Sequence, residues 1–108
     1  MNKTLSMITI YILLSLVDND LTGYELMKEV KKLSMGDLTL YTGTLYPKLK
    51  KLEIEKLVEV TGIKVTGRQN IRYKLTKEGK EYLNNQMNAL EELALKIRVR
   101  LEANDEKI

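Results

Sequence analysis

The chain contains no cysteine and no histidine in its 108 residues. Without thiols, disulfides and thiolate chemistry are excluded. With imidazole missing as well, a zinc site and the commonest general base are both absent, so neither a metal nor a cofactor is expected. Proline occurs once, at Pro47, and tryptophan not at all. Long apolar runs are scarce too. The one from Met7 to Val17 covers eleven residues, well short of the roughly 20 that cross a bilayer. Lys3 ahead of it imitates a secretory leader, but Val17 leads into Asp18-Asn19-Asp20 without a small-residue cleavage site. A buried helix in a cytoplasmic protein is expected, with no membrane partner.

What is present describes a small globular protein. Hydrophobic residues make up 44 % and charged residues 31 %, too balanced for a disordered tail. A chain of this length holds one domain and buries a modest share of its surface alone, so self-association would add stability. No linker, repeat or low-complexity segment interrupts it, and residues 1–108 read as one continuous unit. The net charge of +3 is unevenly spread. Between Thr39 and Lys77 stand nine Lys or Arg against three Glu, a local +6 that leaves −3 on the remainder. A basic middle beside a mildly acidic remainder fits a polyanion on one face, or simply a solvated lysine-rich surface.

The order of elements follows from periodicity and punctuation. Thr4 to Val17 is a helix apolar on nearly all sides, hence central. Asp18-Asn19-Asp20-Leu21 is a turn. Thr22 with Glu25 three residues on has the form of a capping box and opens a second helix, Leu26, Val30 and Leu33 inward, Lys28, Lys31 and Lys32 outward. Ser34-Met35-Gly36-Asp37 ends it. The third helix, from Gly43 to about Glu55, opens on small and hydroxyl residues and carries an apolar stripe of Leu45, Leu49, Leu52 and Leu57. Pro47 is expected in its first turn, where a missing N–H costs nothing. Then the period changes to two. Leu57–Thr61 and Asn70–Leu75 alternate like strands, joined by Ile63–Gln69 with Gly67 at the tip. Thr76 caps a last helix from Lys77 to about Ala103, and 104–108 form a frayed tail. Helix, helix, helix, hairpin, helix gives a mainly α fold with a small β-hairpin (α+β): a winged helix-turn-helix over residues 4–76 and a long C-terminal dimerisation helix over 77–103.

Candidate functional residues fall in three groups. At the third helix, Thr42, Thr44, Tyr46, Lys48, Lys50 and Lys51 surround a start that can approach phosphates and base edges while the leucine stripe anchors its back. In the hairpin, Lys64, Arg68, Gln69 and Arg72 supply donors; arginine grips phosphate with a planar fork or enters a narrow minor groove. The alternative is an ordinary exposed hairpin. Tyr73, between Ile71 and Leu75, is expected in the core, whereas Tyr46 leans toward contact. Along the last helix Leu83, Met87, Leu90, Ala94, Ile97 and Leu101 recur at steps of four and three, an a/d seam of almost three heptads. Leu93, Leu95 and Val99 add apolar surface beside it. A homodimer formed by this helix and the first is expected, rather than a helix folded only onto its own domain, and it would present two reading helices to a palindromic site on double-stranded DNA.

Three blocks resemble the PadR family of bacterial transcriptional regulators. Leu21-Thr-Gly-Tyr-Glu-Leu26 is similar to the segment opening that family's second helix. Gly43-Thr-Leu-Tyr-Pro47, with Leu49, Leu52, Glu53 and Leu57, is similar to its reading helix. Gly67-Arg68, Arg72-Tyr73, Leu75-Thr76 and Gly79 resemble the wing and the start of the last helix. Lys56 stands where relatives often carry glycine, implying a less sharp turn, and the wing is poorer in basic residues than is usual. The short chain resembles members with a single C-terminal helix. In that subset the resemblance implies a repressor whose dimer can take a small, flat, hydrophobic effector near its interface, although no tryptophan is available to stack one.

A sequence-specific DNA-binding regulator, a repressor acting as a homodimer, is therefore the leading reading. A winged helix whose basic face meets an acidic protein is the alternative, because fold does not fix function. An enzyme is disfavoured: no residue pair has the spacing of a nucleophile with its base, and no phosphate-cradling glycine loop follows a strand.

Overall fold

A helix apolar all round needs cover from several sides, and α1 (Met7–Ser15) is covered on one side only, Met7 and Leu14 standing exposed, in the computed structural model, which describes residues 6–62, 64–65, 68–69 and 71–106. Ile12 and Leu13 are fully buried. The helix starts later than expected because the Ser6 hydroxyl caps it, accepting from the Thr9 amide at 3.3 Å. It also stops two residues early, at Ser15, whose hydroxyl donates back to the Tyr11 carbonyl at 2.7 Å.

Around α1 pack α2 (Gly23–Leu33) and α3 (Thr42–Ile54). Leu26 and Val30 of α2 meet Leu45, Leu49 and Leu52 of α3 in a single core with α1. Leu33, expected inward, is 39 % exposed, because α2 ends there and the chain turns away. Ser34 holds that turn: its buried hydroxyl accepts from the Leu38 amide at 2.9 Å.

The sheet has one strand more than the alternation predicts. Strand β1 (Leu21–Thr22), only two residues long, pairs antiparallel with β5 (Arg72–Leu75), and β5 pairs with β2 (Val58–Val60), giving the order β1-β5-β2. The hairpin continues as β3 (Lys64–Val65) and β4 (Arg68–Gln69), with Val65 opposite Arg68. Gly67, expected at the tip, lies outside the described residues. From β5, Tyr73 and Leu75 enter the core while Lys74 faces out, as the alternation requires. The final helix, α4 (Lys77–Glu106), runs three residues past Ala103, so the first part of the expected frayed tail is helical. Nothing from Leu101 onward breaks the backbone ladder, since neither glycine nor proline follows. Its 30 residues span about 45 Å, and the molecule measures 68 × 27 × 24 Å.

Two details of α3 differ from expectation. Pro47 is its sixth residue, not one of its first turn. It therefore withholds a hydrogen bond from the Gly43 carbonyl, which lies on the exposed face where water can substitute. At the other end, Lys56 adopts the left-handed conformation at φ 64°. The Lys56 amide donates to the Glu53 carbonyl at 3.0 Å and the Leu57 amide to the Leu52 carbonyl at 2.9 Å. This is the paired closure that glycine ordinarily completes. The turn is as tight as a glycine turn despite its lysine.

α4 is seated on that same turn. The Thr76 hydroxyl donates to the Lys56 carbonyl at 2.6 Å and accepts from the Gly79 amide at 2.9 Å. A Cβ on Gly79 would collide with the Leu57 carbonyl oxygen and the Leu75 side chain. Two substitutions should therefore move stability in opposite directions in urea unfolding. Lys56→Gly should stabilise by about 1 kcal/mol by relieving a left-handed non-glycine residue. Gly79→Ala should destabilise by roughly 1–3 kcal/mol, because a backbone carbonyl cannot yield as a flexible side chain can.

Candidate nucleic-acid interface

Three helices have their first amides closed by a hydroxyl: Ser6 for α1, Thr22 for α2 and Thr76 for α4. The start of α3 differs. Its cap position is Tyr41, and among the described residues no side chain caps the helix start. The threonines expected to open it, Thr42 and Thr44, both lie inside the helix and exposed. The amides of Thr44 and Leu45 turn back to the Tyr41 carbonyl at 3.0 and 2.9 Å. The amides of Thr42 and Gly43 have no side-chain acceptor. An open, exposed helix start concentrates partial positive charge and free donors, the arrangement that receives phosphate oxygens.

With Leu45, Leu49 and Leu52 buried, the opposite face of α3 is set by geometry: Gly43, Pro47, Lys50 and Ile54 point outward and Lys51 flanks them, all exposed. Lys48 lies nearer the core edge and is half-buried. Lys50 forms an ion pair with Glu53 at 3.7 Å, but its side chain is 71 % exposed, so water screens the pair and a phosphate can displace it.

Tyr46 and Arg72 also make contacts within the protein. Tyr46 keeps 44 % exposure, yet its ring lies against Gly23 at the start of α2, where a Cβ would come within 3.0 Å of the ring. It also neighbours Tyr73, whose hydroxyl is pushed up in pKa first by burial, then by Tyr46 and Glu53. Tyr46 thus serves as a spacer between α2, α3 and the sheet. Arg72 turns toward the body of the protein. Its guanidinium donates from Nη1 to the Asp20 carbonyl at 3.0 Å and to Glu25 Oε1 at 3.4 Å. Glu25 Oε1 also accepts from the Thr22 amide at 2.9 Å, and the Thr22 hydroxyl accepts from the Glu25 amide at 3.2 Å. These bonds hold the Glu25 carboxyl below the usual range, chiefly through the Thr22 amide and then, despite opposing desolvation, through the Thr22 hydroxyl, Arg72 and Lys28. Arg72 is thus held by partners some 50 residues earlier in the chain, with its side chain still 41 % exposed.

The wing residues Lys64, Arg68 and Gln69 share the β3–β4 ladder; their side chains lie outside the described residues. One pair escaped the sequence reading. Tyr24 is exposed on the first turn of α2 with the Lys28 ammonium 5.3 Å from its ring centre. Their i, i+4 spacing was the available signal. Along α4, Leu83 and Leu90 are half-buried, whereas Met87, Ala94, Ile97 and Leu101 are exposed. Among the described residues no group of side chains has the make-up of a metal site, and no helix is long and apolar enough to cross a membrane.

The family model described as the transcriptional regulator PadR-like family matches residues 12–85. Several solved structures share the fold. A PadR family transcription regulator from Clostridium difficile is 26 % identical, covering 89 % of this chain and 99 % of its own, with a TM-score of 0.73. A PadR-like transcription factor from Bacteroides fragilis is 27 % identical over 85 % of this chain and 87 % of its own, TM-score 0.75. PadR of Bacillus subtilis, solved in complex with operator DNA, is 26 % identical, TM-score 0.69. The match covers 79 % of this chain and 48 % of that one, so this chain spans about half the length of the Bacillus protein. No curated protein matches.

The Glu25 junction has a pH signature. A carboxyl whose pKa is lowered by folding contributes stability in full above the ordinary glutamate pKa, and that contribution is lost as pH falls through the lowered value. Thermal melts across the acid range should show the melting temperature dropping there. Glu25→Gln should flatten that part of the profile.

Proposed function

The chain belongs to the transcriptional regulator PadR-like family, and on that premise we propose that it binds a two-fold symmetric operator as a homodimer and represses transcription from the cytoplasm. The observation that carries this reading is the uncapped start of α3 beside exposed Lys50 and Lys51. Thr42 and Thr44 supply hydroxyls there, Lys48 sits at the flank, and the wing adds Lys64, Arg68 and Gln69 from the neighbouring hairpin. The Bacillus subtilis relative, bound to operator DNA, supports DNA as the polyanion. Repression requires no more than occupancy of a promoter, which a dimer with two reading helices provides.

The dimer draws on α4. Ile97 and Leu101 are 52 % and 59 % exposed, with Leu93, Leu95 and Val99 similarly uncovered. An apolar stripe of this length standing in water marks an interaction surface. A second copy covers it and sets the distance between reading helices.

Binding to a fluorescent duplex from the DNA upstream of the gene tests the reading. Log affinity should fall linearly with log salt, each neutralised phosphate adding about −0.9 to the slope. Lys50→Ala, Lys51→Ala and Arg68→Ala, each present in both copies, should each lower the steepness by about two while leaving circular dichroism and sedimentation unchanged. Affinity indifferent to salt, or variants that lose the dimer instead, would count against it.

A further inference from the structure

Two residues on the front of α3 are unfavourable in a helix, and nothing inside the protein calls for either. Gly43 has no positive φ, and a Cβ placed on it would meet nothing within 4 Å. Alanine there would hold the helix better, because glycine surrenders more backbone freedom on folding. Pro47 is the sixth residue of the helix, exposed and no part of the core. The spacing joins the two. The amide that Pro47 lacks is the one that would bond the Gly43 carbonyl four residues earlier. That oxygen is left without its helical donor, and with no side chain on its own residue it stands open on the exposed face.

A phosphate diester offers only acceptors, so this oxygen cannot serve the DNA backbone that suits the lysines and the free amides of Thr42 and Gly43. It needs a donor. Its neighbours in the same row do not supply one: Pro47 and Ile54 have none to give, and the Lys50 ammonium lies two turns further along. The donors that a reading helix meets in the major groove are the exocyclic amino groups of adenine and cytosine.

We propose that the Gly43 carbonyl reads sequence, accepting a hydrogen bond from an adenine N6 or cytosine N4 amino group in the major groove. This acceptor role rests on the DNA reading above and adds to it a group that specifies rather than positions. In solution water serves the oxygen, so exchanging water for the correct base adds little affinity. A base without an amino group strands the carbonyl away from water, and the cost of that stranding discriminates. Gly43 contributes by what it lacks: without a Cβ, a base edge can come within hydrogen-bond distance of the main chain.

Selection of bound duplexes from a random-sequence pool gives the operator. It is then scanned with unsubstituted purine for adenine and 2-pyrimidinone for cytosine, analogues that lack only the amino group. For the wild-type chain one position in each half-site should weaken binding roughly two- to tenfold. Pro47→Ala returns an amide to the Gly43 carbonyl. This variant should melt roughly 5–10 °C higher, select the same motif with the preference at that position gone, and ignore the analogue there. A Pro47→Ala profile that keeps every preference, or one weakened evenly at all positions, would overturn the proposal. Gly43→Ala should also melt higher yet bind the selected operator more weakly; undiminished binding would overturn it as well. A wild-type chain that retains no duplex from the pool would instead sink the DNA reading beneath it.

Discussion

One carboxylate joins the parts of this domain that must keep a fixed relation. Glu25 Oε1 accepts from the Thr22 amide at 2.9 Å and from Arg72 at 3.4 Å. Thr22 and Arg72 are themselves register partners in the β1–β5 ladder. The start of α2, the edge strand and the wing strand thus meet at a single atom. The junction is half-exposed, so its ion pair alone contributes little to stability. Its importance is geometric. Arg72 also bonds the Asp20 carbonyl, and a planar guanidinium held at two points fixes the direction in which β5 leaves the body. The wing is the continuation of that strand.

The core performs the complementary task for α3. Leu45, Leu49 and Leu52 occupy one face completely, and this decides which residues the opposite face shows. Tyr46, wedged against Gly23 and beside Tyr73, sets the spacing of α3 from α2 and the sheet. α3 is therefore buried along its back and shows Gly43, Pro47, Lys50, Lys51 and Ile54 along its front. Its open first turn fits this division: a hydroxyl cap there would occupy donors that a phosphate can use.

Much of this was legible in the sequence where a local rule applied. The Thr22–Glu25 spacing placed the start of α2, Thr76 placed the start of α4, and the period-two run through Tyr73 and Leu75 placed β5 with the correct face inward. The leucine stripe of α3 was equally plain. What escaped depended on partners distant in sequence. Strand β1 is two residues long and becomes a strand only because β5 lies beside it. The bonds of Arg72 to Asp20 and Glu25 could not be read because those partners precede it by some 50 residues. Pro47 was assigned to the first turn by a rule that assumes a shielded helix, whereas its exposed setting lets water serve the Gly43 carbonyl. Lys56 implied a looser turn because the sequence gives no sign that Leu57, Thr76 and Gly79 converge there and force a left-handed residue.

That convergence has a mechanical meaning. α4 is anchored at its base, with Thr76 bonded to the Lys56 carbonyl and Gly79 pressed against Leu57, rests beside α1 as far as Leu90, and then projects as a lever of about 24 Å over residues 91–106. Tilting such a lever by roughly five degrees carries its tip about 2 Å, by the same rise per residue. The base is also where α3 ends. A displacement of that tip is consequently felt, geared down, as a small rotation at the end of α3.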